Sequence, residues 1–138
     1  KLLDLSDEGR AARSMGQAII DQGLKDVEEI WGSEVTVFYP GLYAGQTDLC
    51  GIFTGRESII DFKQTNKPKR REWVEDYFLQ LAAYAMAHDV IYGTCIDQGV
   101  ILMCSKDGFF QKFTSTGKEF TGYKHKFLRR TDKFYRKM

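Results

Sequence analysis

The chain has 138 residues, enough for one domain and too few for two of ordinary size. Its 43% hydrophobic content supports a core, and a net charge of +1 excludes a disordered polyion or a uniformly basic chain, so any nucleic-acid signal must come from where the charges sit. No apolar run approaches the roughly 20 residues that span a bilayer, and the charged N-terminus with short apolar stretches does not read as a signal peptide.

The first predicted element is a helix from Ser6, an N-cap followed by Asp7 and Glu8, with Ala11, Ala12, Met15, Ala18 and Ile19 on its apolar side. Gly23 ends it, and a second short helix is expected to carry Val27, Ile30 and Trp31. At Glu34 the period switches to two. Val35, Val37 and Tyr39 alternate with Glu34, Thr36 and Phe38, which predicts a strand ending at Pro40-Gly41. A second strand runs from about Leu42 to Phe53, and Thr54-Gly55 supplies a tight turn into a third, Ser58 to Lys63, apolar enough to be central. Together they form an antiparallel meander.

Gln64 to Arg71 contains Asn66 and Pro68 and reads as a loop, followed by a helix over about Glu72 to His88. Val100 to Cys104 is a buried strand, Asp107-Gly108 a hairpin turn and Phe109 to Phe113 its partner. From Thr121 or Gly122 onward a basic amphipathic helix carries Tyr123, Phe127, Phe134 and Tyr135. The predicted fold is α/β: a mixed central sheet, three-stranded meander plus hairpin, flanked by helices in one domain over 1–138. Cys50, Cys95 and Cys104 form no CxxC pair and each sits among apolar residues, which predicts buried reduced thiols of a cytosolic-type compartment. The two histidines do not stand at zinc-ligand spacing from them.

The chemistry converges on two neighbouring strands. Asp48 lies on the second, Asp61 and Lys63 on the third, and the two-residue turn folds these strands together. Asp61 and Lys63 are two apart, so they share a face. Phosphodiester hydrolysis asks for such a set: hard carboxylate oxygens to hold Mg²⁺ or Mn²⁺, and an amine to orient water or neutralise developing charge. The backbone carbonyl of Phe62 is a further candidate ligand. An isolated D-x-K is usually an ion pair on an exposed sheet face. Here Ile59, Ile60 and Phe62 surround it, and Asp48 follows Gly45, where a ligand can approach the backbone.

Gly45-Gln46-Thr47-Asp48-Leu49, Ile59-Ile60-Asp61-Phe62-Lys63-Gln64-Thr65 and Gln80-Leu81-Ala82-Ala83-Tyr84 resemble, in order, the G-x-x-D, D-x-K and Q-x-x-x-Y motifs of the RecB-type branch of the PD-(D/E)XK nuclease superfamily. Lys67-Pro68-Lys69 and Gly99-Val100-Ile101 look similar to the mitochondrial genome maintenance exonucleases and their phage relatives. The likeness spans roughly Glu34 to Tyr135. It implies a Mg²⁺- or Mn²⁺-dependent deoxyribonuclease, exonucleolytic on single strands or DNA ends, serving replication, repair or recombination. Asp48 and Asp61, with the Phe62 carbonyl, would be metal ligands and Lys63 the catalytic lysine. Gln80 and Tyr84 would position the site or the DNA, and Glu34 stands where some relatives carry an additional acid. Many members complete the metal site from an earlier helix through a histidine or glutamate. No histidine precedes Asp48, and the chain opens on Lys1, so that helical part is expected upstream. The alternative is a catalytically incomplete DNA-binding module with a nuclease fold. The implied compartment is the cytoplasm of a bacterium or phage-infected host, or the mitochondrion of a eukaryote.

Residues that would hold DNA are read on either side. Gln80 and Tyr84 are i, i+4 on one helix face, and Trp73, Tyr77 and His88 extend the stripe, while Val74, Phe78, Leu81 and Ala85 offer the core face. Lys67, Lys69, Arg70 and Arg71 form a basic run after the D-x-K strand, with Trp73 available to stack on an unpaired base. The basic tail, Lys124 through Lys137, reads as a solvated helix face.

Overall fold

The computed structural model describes residues 6–39 and 43–136, with side chains over 6–33 and 47–132. Helix α1 spans Asp7–Gly23 and starts where Ser6 accepts the Gly9 amide at 3.0 Å, satisfying one orphan N–H of the first turn. A 3-10 turn, Leu24–Asp26, leads into strand β1, Val27–Tyr39, then β2, Tyr43–Phe53, and β3, Arg56–Thr65. These pair antiparallel in order, as the meander predicts. The β2–β3 turn places Thr54 at φ 48° and Gly55 at φ 78°, the doubly left-handed geometry that matches strand twist in a two-residue hairpin.

The short helix expected over Val27–Trp31 is instead the start of β1. Register shifts between Val27 and Glu29 and between Ile30 and Gly32 break the strand's alternation, leaving a spacing that mimics a helical one. The tight approach relies on Gly51, where a Cβ would lie 1.9 Å from the Glu29 carbonyl oxygen. The expected Pro40-Gly41 turn lies outside the described residues.

After β3, a 3-10 turn at Arg71–Val74 delivers α2, Glu75–Tyr92, which crosses over to β4, Gln98–Ser105, parallel to β3. A parallel neighbour cannot be reached by a tight turn, so a long crossover is required, and α2 supplies it. Strand β5, Phe110–Thr116, returns antiparallel, and α3, Gly117–Arg136, closes the chain. The sheet order is β1-β2-β3-β4-β5.

Alternation along β3 and β4 divides the core between two sheet faces. On one face Met15 and Ile19 of α1 pack with Leu49, Phe53, Ile60, Val100, Leu102 and Cys104. On the other, Val74 of the 3-10 turn, Phe78, Leu81, Ala82 and Ala85 of α2, and Phe120 and Tyr123 of α3 pack with Cys50, Ile59, Ile101 and Met103. Every residue of β4 is buried, as a parallel strand covered on both faces must be. Cys50 and Cys104 are buried thiols, but Cys95 is exposed, because it lies in the connection after α2 and not in a strand. Among the described residues no helix is long and apolar enough to cross a membrane.

Candidate active site

The β2–β3 ladder runs from Phe53–Arg56 to Leu49–Ile60 and stops there. One step further, Asp48 and Asp61 stand level with each other. Like charges directly opposite are a source of repulsion in a sheet, and the backbone does not pair through them. The Asp48 carboxylate instead accepts the Phe62 amide at 2.8 Å, replacing the bond the ladder would have made. A strand residue's N–H and C=O leave by the same edge. The Phe62 carbonyl therefore also points to the β2 side, where the ladder has ended.

Because Ile59 packs on the α2 side, Asp61 and Lys63 lie on that face too. Lys63 Nζ is 2.9 Å from the Asp61 carboxylate, with side chains 29% and 15% exposed respectively. Above the ammonium lies the ring of Tyr77 from α2, its centroid 4.8 Å from Nζ. Burial, then a hydrogen bond and charge from Asp48, push the Asp61 carboxyl up to about 6 despite the opposing pull of Lys63. Burial alone would lower the Lys63 ammonium, but the Asp61 hydrogen bond and charge, helped by Tyr77 and Asp48, hold it above the ordinary lysine range. The result is two facing carboxylates with too little positive charge between them and a firmly protonated amine beside them.

A divalent cation suits that arrangement. Two carboxylates and a carbonyl supply hard oxygens, and Mg²⁺ commonly takes one or two carboxylates while keeping several waters. Among the described residues no group of three or more histidine, cysteine, aspartate or glutamate side chains converges. The flanking pairs Ser33–Leu49 and Val35–Thr47 set Glu34 of β1 level with Asp48, so Glu34, Asp48 and Asp61 are in line across three strands. The Glu34 side chain lies outside the described ones, as does that of Gln46 in the first motif.

The structure brings together Asp48, Asp61, Phe62 and Lys63. It places Gln80 and Tyr84 on α2, where the Gln80 amide donates to the Tyr84 hydroxyl at 2.9 Å. Gln80 is exposed, so its partner is not demanded by burial; the pair lines a cavity of about 460 Å³ between α2 and α3, with Leu79, Ala83, Phe127 and Arg130. The contact to Lys63 comes from Tyr77, one turn earlier on the same stripe. Tyr77 had a legible signal, its i, i+3 spacing from Gln80, but nothing in the sequence ties its ring to Lys63.

The basic run divides. The Arg71 guanidinium donates to the Thr114 carbonyl at 2.7 Å and to Glu119 at 2.6 Å and lies over the Phe78 ring, tying the 3-10 turn to β5 and α3. Lys69 is clamped through its backbone by both ends of the Gln111 amide. Lys67 is exposed, and Arg70 stacks over the exposed Trp73 with centroid separation 5.4 Å. His88, at the far end of α2, is buried and hydrogen-bonds Thr94 at 2.8 Å, a helix-end role.

No protein-family model matches the chain. Over 91 residues, 62% of its length, it is 35% identical to mitochondrial genome maintenance exonuclease 1 of Homo sapiens. A crystal structure from Eubacterium rectale, provisionally described as an exonuclease, superposes with a TM-score of 0.67 over 93% of this chain at 16% identity. The chain spans 26% of the human relative and 51% of the bacterial one. By sequence the chain is thus similar to part of mitochondrial genome maintenance exonuclease 1 of Homo sapiens, and by fold it shares the α/β architecture of the bacterial structure.

Proposed function

We propose that this chain is a nuclease domain that hydrolyses DNA phosphodiester bonds with Mg²⁺ or Mn²⁺, acting as an exonuclease on single strands or DNA ends. The observation that carries the proposal is the pair of level carboxylates, Asp48 and Asp61, facing each other where the β2–β3 ladder stops, with Lys63 at 2.9 Å. Asp48, Asp61 and the Phe62 carbonyl would hold the metal, with Glu34 in line on β1. When bound, the metal would supply Lewis acidity toward water and the phosphate oxygens.

The residues of the chain do the rest. Lys63, held protonated, donates to a non-bridging phosphate oxygen or orients the attacking water, and so stabilises charge that develops in the transition state. Asp61, its carboxyl raised toward neutrality by burial and Asp48, makes ligand binding dependent on its deprotonation. Exposed Trp73, backed by Arg70, offers a stacking surface for an unpaired base, and Lys67 a phosphate contact. The Gln80–Tyr84 pair and the adjoining cavity lie further along the same helix.

The test is a digestion time course on end-labelled linear single strands, linear duplex and circular DNA in each metal. Loss of linear DNA with circles protected is the expected result. No cleavage of any substrate in either metal overturns the enzymatic reading. The second reading is a module that grips DNA without cutting, supported by the exposed Arg70–Trp73 stack and the exposed Lys67 beside it. It predicts salt-sensitive retention of DNA with no product.

A further inference from the structure

We propose that Tyr77 is a positioning residue for Lys63: its ring, fixed to the core by α2, holds the ammonium in place by a cation–π contact that does not depend on Asp61. The proposal rests on the nuclease reading above and names a part of the machinery that reading leaves open.

Lysine has a flexible four-carbon stem and a point charge, so an ammonium used at a reacting phosphate must be held from more than one side. One hold is the Asp61 carboxylate at 2.9 Å. That hold is conditional, since the same carboxylate is the group that would ligate a metal, and an oxygen shared with a divalent cation attracts an ammonium less. The second is the Tyr77 ring, with its centroid 4.8 Å from Nζ, well inside the roughly 6 Å reach of a cation–π contact. It carries no formal charge for a metal to compete for.

The ring is itself well supported. Tyr77 is half-buried and packs against the cluster that includes Val74, Phe78, Leu81 and Ile59. Its immediate neighbour Phe78 is fully buried, stacked on Tyr123 at 5.6 Å and covered by the Arg71 guanidinium at 4.4 Å. The first turn of α2 is therefore pinned to the sheet, to α3 and to the preceding 3-10 turn. With 29% of its side chain exposed, Lys63 keeps an open side toward solvent while Asp61 and the ring restrain the others.

The prediction separates ring chemistry from packing. Tyr77→Phe keeps the ring and loses the hydroxyl; Tyr77→Leu keeps an apolar side chain and loses the ring. On DNA cut by the wild type, Tyr77→Phe is expected to retain its rate. Tyr77→Leu is expected to lose about tenfold in kcat, or about 1.4 kcal/mol of barrier, with KM unchanged. Replacing residue 77 by phenylalanines carrying one, two and three ring fluorines weakens the quadrupole at nearly constant shape and is expected to lower kcat stepwise. The metal-free protein gives an independent readout by NMR. The Lys63 ε-methylene protons are shifted upfield by the ring in wild type and Tyr77→Phe, and are unshifted in Tyr77→Leu.

Equal kcat for Tyr77→Leu and wild type, or a flat fluorine series, overturns the proposal, as does an unshifted Lys63 signal in the wild type. A wild type that cuts no DNA but shows the ring-shifted signal contradicts the nuclease reading and leaves the contact itself standing.

Discussion

The carboxylate–lysine cluster at the end of α2 and the one at the end of the β2–β3 ladder are built on opposite principles. At the end of α2, Asp89 accepts the Thr94 hydroxyl at 2.7 Å and the Ile96 amide at 2.9 Å, with Lys124 at 3.7 Å, while Lys124 also donates to the Ile96 carbonyl. Its acceptors and donors are matched, and Gly93 in the left-handed region lets the chain turn back to make them. At the end of the β2–β3 ladder, Asp61 faces another carboxylate and has one lysine for company. The first cluster is a helix terminus and stabilises the fold. The second works against the fold's stability, and it is the cluster on which the proposed nuclease function rests.

The sharpest way to break this contrast is to remove one amine. Lys63→Ala is expected to lower DNA cleavage at least a hundred- to a thousand-fold, the scale of losing a donor to transition-state charge, in a protein that still folds cooperatively. Cleavage that persists at wild-type rate would remove Lys63 from the machinery. Next comes Asp89→Ala, which orphans the Ile96 amide and the Thr94 hydroxyl. It is expected to cost about 1–3 kcal/mol in denaturant unfolding while leaving the rate per folded molecule intact.

The smallest effect has the opposite sign. The folded Asp61 carboxyl lies near 6, above its usual 3.8, so the native state holds this proton longer than the unfolded chain does. Stability contributed by the protonated form is present at low pH and is lost as pH rises from about 4 through 6. Asp61→Asn abolishes that loss. In the metal-free protein it is expected to match wild type near pH 4 and to be roughly 1 kcal/mol more stable at pH 8. A variant less stable than wild type at pH 8 would mean that the pair with Lys63 outweighs the repulsion from Asp48.

Much of this was legible in the chain. The meander, its Thr54-Gly55 turn, the Asp107-Gly108 hairpin and the three flanking helices follow from period and turn chemistry. Asp61 and Lys63 fall together because strand alternation puts residues two apart on one face. Asp48 joins them because a two-residue turn fixes the register. Val27–Trp31 carries a helical spacing because two bulges interrupt the strand's alternation, and bulges are made by a partner strand the local sequence does not reveal. Arg71 read as a DNA-facing cation since its partners, Thr114 and Glu119, lie more than forty residues away along the chain. Tyr77 reads as part of the Gln80–Tyr84 stripe, but its contact with Lys63 is not legible for the same reason: the ring meets Lys63 only through the packing of α2 on the sheet.

Calorimetric titration of Mn²⁺ into wild type, Asp61→Asn and Asp89→Asn tests the central claim most directly. The account predicts uptake by wild type and by Asp89→Asn and none by Asp61→Asn. Equal uptake by Asp61→Asn and wild type would contradict it.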